Sequence, residues 1–286
     1  MCEFILRICC SAGRITMNQV TPTAPIIIAV SNRKGGSGKT TTAVTLAASF
    51  AIDGQRTLLI DLDTQSHCAL GLGITVAEEQ PTAHHLFNPI AADFALTNAI
   101  VPTFWERLQL IPGDVDFQHD TAVEDEQRLA RALAQPGIID TYQIIILDTP
   151  PSLDSLLLNA LTAASSALIP FIPHPLAGEG VRQLARLFFR VAMTSNANLR
   201  LLGLLPIQID SRIGLHRRTC EQLARQFGQQ RLLPGIRSDI KLAEAFHAGC
   251  PIQLYAPRSR ANDDYRFMFE QIKARLRSEQ LAAAGG

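Results

Sequence analysis

Ten consecutive residues, Asn32-Arg33-Lys34-Gly35-Gly36-Ser37-Gly38-Lys39-Thr40-Thr41, bring glycines, lysines and hydroxyls together directly after an apolar run, Ile26–Ser31. Glycines let backbone N–H groups curl around an anion without a Cβ clash. A helix predicted from Lys39 to Asp53 would point its positive end at the same anion. Gly35, Gly36, Ser37, Gly38, Lys39, Thr40 and Thr41 are therefore candidates for cradling a polyphosphate. Lys39 would reach the outer phosphates, and the Thr40 hydroxyl would hold a magnesium ion. The general phosphate-loop pattern asks for a glycine five positions before Gly38, where this chain has Arg33. Lys34 adds a second cation at the start of the loop.

Two further apolar runs end in carboxylates. Leu58-Leu59-Ile60 leads into Asp61-Leu62-Asp63-Thr64-Gln65, and Ile144-Ile145-Ile146-Leu147 leads into Asp148-Thr149-Pro150-Pro151. In open α/β sheets, ligands bind beyond the carboxyl ends of the strands, so all three acids can approach the glycine loop. Asp148 is the candidate second holder of Mg²⁺. Asp63 and Asp61 are candidates for orienting an attacking water, with capping or loop-amide binding as the plain alternative.

Positioning these groups requires strands that alternate with helices. Strands are predicted at 26–31, 57–61, 108–111, 143–148, 167–172, 201–209 and 232–236, with a short one at 252–254. Helices are predicted at 39–53, 118–134, 152–163, 179–194, 215–227 and 240–248, with a last one over about 264–283. Several strands are continuously apolar, as expected when both faces are covered. The pattern is an α/β fold, a P-loop NTPase with a doubly wound, mainly parallel sheet and helices on both faces.

These segments together resemble the ParA/MinD family of deviant P-loop ATPases, from about Ile26 to about Tyr265, and the short partition proteins within it. Lys34 matches the family's signature lysine, which reaches the partner's phosphates in a nucleotide-sandwich dimer. Asp61 to Gln65 resembles the family's Asp-x-Asp-Pro-Gln with Thr64 in place of proline, which implies that Asp63 is needed for hydrolysis. Asp148 to Pro151 resembles its Asp-x-Pro-Pro switch. Leu176-Ala177-Gly178-Glu179-Gly180, Ile240 to Ala245 and Tyr255 to Ala261 resemble further family segments. The resemblance also implies that 207–210 and 236–239 line an adenine pocket. His67, Cys68 and the acidic Leu110–Asp116 segment depart from the family pattern. The implied function is a positioning or partitioning ATPase using ATP and Mg²⁺. It would dimerise on ATP, bind nucleoid DNA without sequence preference and be stimulated by a ParB-like or adaptor protein, in the cytoplasm and at the nucleoid. A MinD-like membrane-cycling ATPase and a metabolic ligase of the dethiobiotin synthetase type are the alternatives. An iron–sulfur ATPase is disfavoured because no cysteine lies between Cys68 and Cys220, and a GTPase because no Asn-Lys-x-Asp motif occurs.

Composition is consistent with a globular protein: 47% hydrophobic and 18% charged residues over 286 positions leave no run long enough to span a membrane. The formal net charge of zero hides an asymmetry, with 9 Lys/Arg against 18 Asp/Glu in residues 1–181 and 17 against 8 in the rest. A basic half suggests a polyanion partner, and Arg212, Arg217, Arg218, Arg237 and Lys241 are the DNA-binding candidates. The last helix has an apolar side at Phe267, Phe269, Ile272 and Leu276 but no large apolar tip, so it is expected to pack on the core without stable membrane association. His84-His85 lacks neighbouring ligands at metal spacing and is expected in a surface loop. Residues 1–24 are expected to form a flexible extension, with Met17 as a possible natural start, and 25–286 a single ATPase domain.

Overall fold

The computed structural model describes residues 24–89, 94–118, 124–174, 177–210 and 212–284. Period-two alternation in the strands decides the architecture. Ile28 and Val30 of β1 (Ile26–Val30), Leu59 of β2 (Thr57–Asp61) and Ile146 of β5 (Ile144–Asp148) face one layer. That layer is formed by α1 (Lys39–Ile52) and α9 (Arg260–Ala284), through Leu46, Phe50, Phe269 and Ile272. The intervening Ala29, Leu58, Ile60, Ile145 and Leu147 face the other layer. There they meet α3 (Arg128–Leu133), α4 (Ser155–Ala163), α5 (Ala177–Thr194) and α6 (Gly214–Phe227). Every residue of β2 and β5 is buried, as strands covered on both faces require.

The sheet has seven strands in the order β3-β4-β2-β5-β1-β6-β7, with β3 (Val101–Pro102), β4 (Leu108–Ile111), β6 (Ser166–Phe171) and β7 (Arg200–Pro206). All pairings are parallel except β3 with β4. Chain order runs outward from β1 in one direction through β2 and in the other through β6, so the crevice of a doubly wound sheet opens at the ends of β1 and β5. Short helices α2 (His67–Gly71), α7 (Ile240–His247) and α8 (Ile252–Tyr255) gather at that end.

Several boundaries differ from the sequence reading. Residues 232–236 form no strand. The Leu233 N–H donates to the Leu204 carbonyl and the Ile236 N–H to the Pro206 carbonyl, three residues against two, so an extra residue breaks the register and only isolated bridges form, Leu232 with Leu204 and Arg237 with Ile209. Residues 252–254 are helical, since Pro251 at φ −54° presets a helix start and its carbonyl accepts from Leu254 and Tyr255. Of the helix expected over 118–134, part lies outside the described residues, and the described part begins only at Arg128. There Asp125 Oδ1 accepts the Gln127 N–H in a tight turn. The last helix starts at Arg260, four residues early, with the Ser259 hydroxyl accepting the Asn262 N–H at 3.2 Å. His84 is not in a surface loop. It sits in a buried 3₁₀ turn, Ala83–Phe87, where Nδ1 accepts the Asp114 N–H at 2.9 Å. The expected extension over residues 1–23 lies outside the described residues.

Candidate nucleotide site

The loop between β1 and α1 is shaped by two glycines in the left-handed region, Gly36 at φ 69° and Gly38 at φ 72°. The left-handed backbone favours glycine at 38, and a Cβ there would also press on the end of the Ile207 side chain, 2.4 Å from its Cδ1. Asn32 anchors the loop: its Nδ2 donates to the Pro170 carbonyl on β6, and its Oδ1 accepts the Lys34 N–H. Ser37 is buried, and its hydroxyl has no partner among the described residues. Lys34 and Gly35 are exposed on the outer side of the loop, and nothing lies within 4 Å of where a Gly35 Cβ would stand.

Strand register brings in the acids. Asp61 and Asp148 are direct partners across β2 and β5, and Val30, one residue before the loop, pairs with Asp148 across β5 and β1. The Lys39 ammonium, buried at the start of α1, lies 3.8 Å from Asp63 Oδ2. Asp61 serves the loop amides: Oδ1 accepts the Asp63 N–H at 3.0 Å and Oδ2 the Cys68 N–H at 2.9 Å. It thereby holds the turn that presents Asp63, which favours the loop-amide role over water orientation for this residue. Gly113, after β4, closes the turn from behind. A Cβ there would stand 2.9 Å from the Asp63 carbonyl, and Ser66 donates to the Gly113 carbonyl.

Asp148 is fully buried, with Oδ1 lacking a hydrogen-bond partner among the described residues and Oδ2 accepting from the Cys68 thiol at 3.5 Å. Burial pushes its pKa up to about 7, against the pull of the Thr40 hydroxyl and the Lys39 charge. Burial, and then the neighbouring Asp148 charge, push Asp61 well above the usual carboxylate range. Burial likewise pushes the Cys68 thiol up, so it stays protonated and donates. The ligand atoms of Asp61, Cys68 and Asp148 lie within 4.8 Å of one another.

Beside the loop opens a cavity of about 630 Å³, bounded by Gly38, Thr41, Ile207, Ile236, Phe246 and Tyr265. Segments 207–210 and 236–239 do meet there, through Ile207, Gln208 and Ile236 to Asp239, whereas Ile209 and Asp210 do not line it. Sequence reasoning missed Tyr265, 3.3 Å from the Thr42 hydroxyl, and Phe246. It marked Cys68 only as a departure. No local pattern signals these contacts, which join residues far apart in the chain.

Of the DNA candidates, Arg237 lines this cavity and the other four do not, and most are already engaged. Arg212 pairs with Asp210 and Arg237 with Asp264, both at 2.7 Å, and Lys241 pairs with Glu244 at 2.7 Å. Arg217 is 3.9 Å from Glu221, and Arg218, on the same helix, has no acidic partner among the described residues.

A glycine-rich strand-to-helix loop, a buried lysine at the helix start and acids ending adjacent parallel strands define a P-loop nucleotide hydrolase. The profile of the AAA domain family matches residues 26–201. The sporulation initiation inhibitor protein Soj of Bacillus subtilis is 35% identical over 253 residues, spanning 87% of this chain and 98% of that protein. The chain belongs to the ParA/MinD family of P-loop ATPases. Among solved structures, cobyrinic acid a,c-diamide synthase from Mycobacterium smegmatis with bound ATP analog and magnesium aligns with a TM-score of 0.70 at 30% identity, covering 86% of this chain and 93% of that one. An ATP complex of Cyanothece McdA shares the fold at a TM-score of 0.77 and 20% identity, covering 89% and 97%. No helix among the described residues is long and apolar enough to cross a membrane. The apolar side of α9 is spent on the core through Phe269, Ile272 and Leu276, although Phe267 stays exposed.

Proposed function

We propose that this protein binds ATP with Mg²⁺ at the ends of β1, β2 and β5 and uses slow, partner-stimulated hydrolysis to position a cargo. The convergence of Lys39, the left-handed glycine loop and three strand-end carboxylates carries the reading. The loop amides and the α1 terminus cradle the phosphates, and Lys39 leaves Asp63 to meet the outer ones. The base enters the cavity between Ile207 and Ile236.

Thr40 and Asp148 fit a magnesium site. Both offer hard oxygens, and Asp148 Oδ1 is buried with no hydrogen-bond partner among the described residues. A bound magnesium ion would neutralise charge on the phosphate oxygens. Asp63, freed from Lys39, is placed to orient the attacking water.

Exposure of Lys34 beside an open Gly35 suits contact with a second copy across the nucleotide. The dimer then doubles a basic surface for nonspecific DNA, with Arg217 and Arg218 its least neutralised members. The names of the Soj and ParA relatives support a partition role and a ParB-like or adaptor partner.

The test is light scattering of the Asp63→Ala protein, which should hold ATP without turning it over. A doubling of mass with ATP and none with ADP is expected. A monomer in both states counts against the dimer cycle, and a metabolic ligase would show no such switch.

A further inference from the structure

A groove of about 350 Å³ lies between the phosphate loop and α5. Leu153, Leu158 and Leu187 supply its apolar lining, and Arg33, Arg186 and Arg190 its charge. Arg186 and Arg190 stand one turn apart on α5, a spacing at which like charges repel. Among the described residues no carboxylate pairs with any of the three. Glu179, the one acid on α5, is engaged by Arg182 at 2.8 Å and by Gln183 at 3.1 Å. Its field reaches Arg186 without forming a pair. Arg33 donates one guanidinium N–H to Gln183 Oε1, while its Nε is buried with no partner among the described residues. On the same helix Phe189 and Met193 are 67% and 69% exposed, again one turn apart.

Other surface arginines, such as Arg212, Arg237 and Arg266, are neutralised by nearby acids, and those that are not, such as Arg218, are not gathered around an apolar groove with others of their kind. Three uncompensated guanidinium groups around leucines, next to an exposed Phe and Met, make a surface with one charge sign and an apolar centre.

We infer that this groove is the docking site for an acidic, amphipathic segment of a partner protein, with carboxylates on Arg33, Arg186 and Arg190 and an apolar side chain over Leu153, Leu158 and Leu187. DNA fits less well, because the leucines, Phe189 and Met193 offer a phosphate backbone nothing. Arg33 is also the residue before Lys34, so an occupant that engages it bears directly on the phosphate loop. Coupling to nucleotide state rests on the ATPase reading above, whereas docking does not.

The probes are a labelled synthetic peptide with Glu and Leu spaced one helical turn apart, its Glu→Gln twin, and an unrelated DNA duplex. Each is titrated by fluorescence anisotropy into the full chain with ATP and Mg²⁺. The acidic peptide should bind, more weakly as salt rises. The Arg186→Glu/Arg190→Glu protein should bind it at least about tenfold more weakly, and Arg186→Gln/Arg190→Gln should fall between. ATP affinity, read in the same samples, should be unchanged by either pair, so a fault in the nucleotide site is distinguishable from a fault in the groove. Equal binding of the Gln twin, no binding of the acidic peptide, or no effect of the double variant overturns the assignment. Loss of duplex binding with retention of peptide binding would make the face a nucleic-acid surface instead.

Discussion

Replacing Asp63 with alanine should destabilise the nucleotide-free protein and tighten its grip on ATP. Lys39 and Asp63 are both nearly inaccessible and stand 3.8 Å apart, where unit charges attract by about 4 kcal/mol at an effective dielectric constant of about 20. The separation is too long for a good hydrogen bond, and removing the acid takes the buried ammonium's ion-pair partner and leaves only the more weakly coupled Asp148 nearby, at a cost of about 3 kcal/mol. For a chain of this size that corresponds to a melting temperature lower by roughly 6–10 °C. ATP restores a partner to Lys39, and the variant no longer gives up an ion pair or sets a carboxylate beside the phosphates. Its ATP affinity should therefore rise by about tenfold to a hundredfold. Titration of a fluorescent ATP analogue with Mg²⁺, alongside thermal melting with and without ATP, reads both effects. A variant that melts with the wild type in the absence of nucleotide, or that binds ATP no more tightly, would refute the idea that Asp63 holds Lys39 in reserve.

Gly35→Val should fold and bind ATP normally, because nothing stands within 4 Å of the added Cβ and the backbone is not left-handed there, yet it should fail to dimerise in light scattering with ATP. Gly38→Ala should lose ATP affinity in the same titration, since it combines a left-handed backbone, costing about 1–2 kcal/mol, with a clash against Ile207 that intrudes on the cavity. Changing Arg217 and Arg218 together to glutamate should abolish ATP-dependent, salt-sensitive mobility shifts of unrelated duplexes while leaving phosphate release without DNA unaltered. Equal binding in ATP and ADP would remove the switch from the DNA reading.

The central strands and the site acids were legible because burial on both faces writes itself into sequence as uninterrupted aliphatic runs. Ile144 to Asp148 and Thr57 to Asp61 are such runs, and their acids fall where the strands leave the core. Edge segments carry weaker signals. Val101–Pro102 pairs over two residues only and was not foreseen, and Leu232 to Ile236 reads as a strand but loses its register with β7 through an extra residue. The two proposed base-pocket segments were legible from the family resemblance, whereas Phe246 and Tyr265 were not, because their place depends on how α7 and α9 pack beside α1. The charge split between the two halves also meant less than its size suggested. Arg212, Arg237 and Lys241 spend their charge on acids close by within the basic half itself.

Phosphate release from ATP, measured for the wild type and Lys39→Ala with Mg²⁺ and again with a chelator, tests the nucleotide site most directly. Turnover is expected only in the wild type with Mg²⁺. Equal turnover in the Lys39→Ala protein, or turnover that survives chelation, would contradict the assignment of the β1–β2–β5 crevice as a magnesium–ATP site.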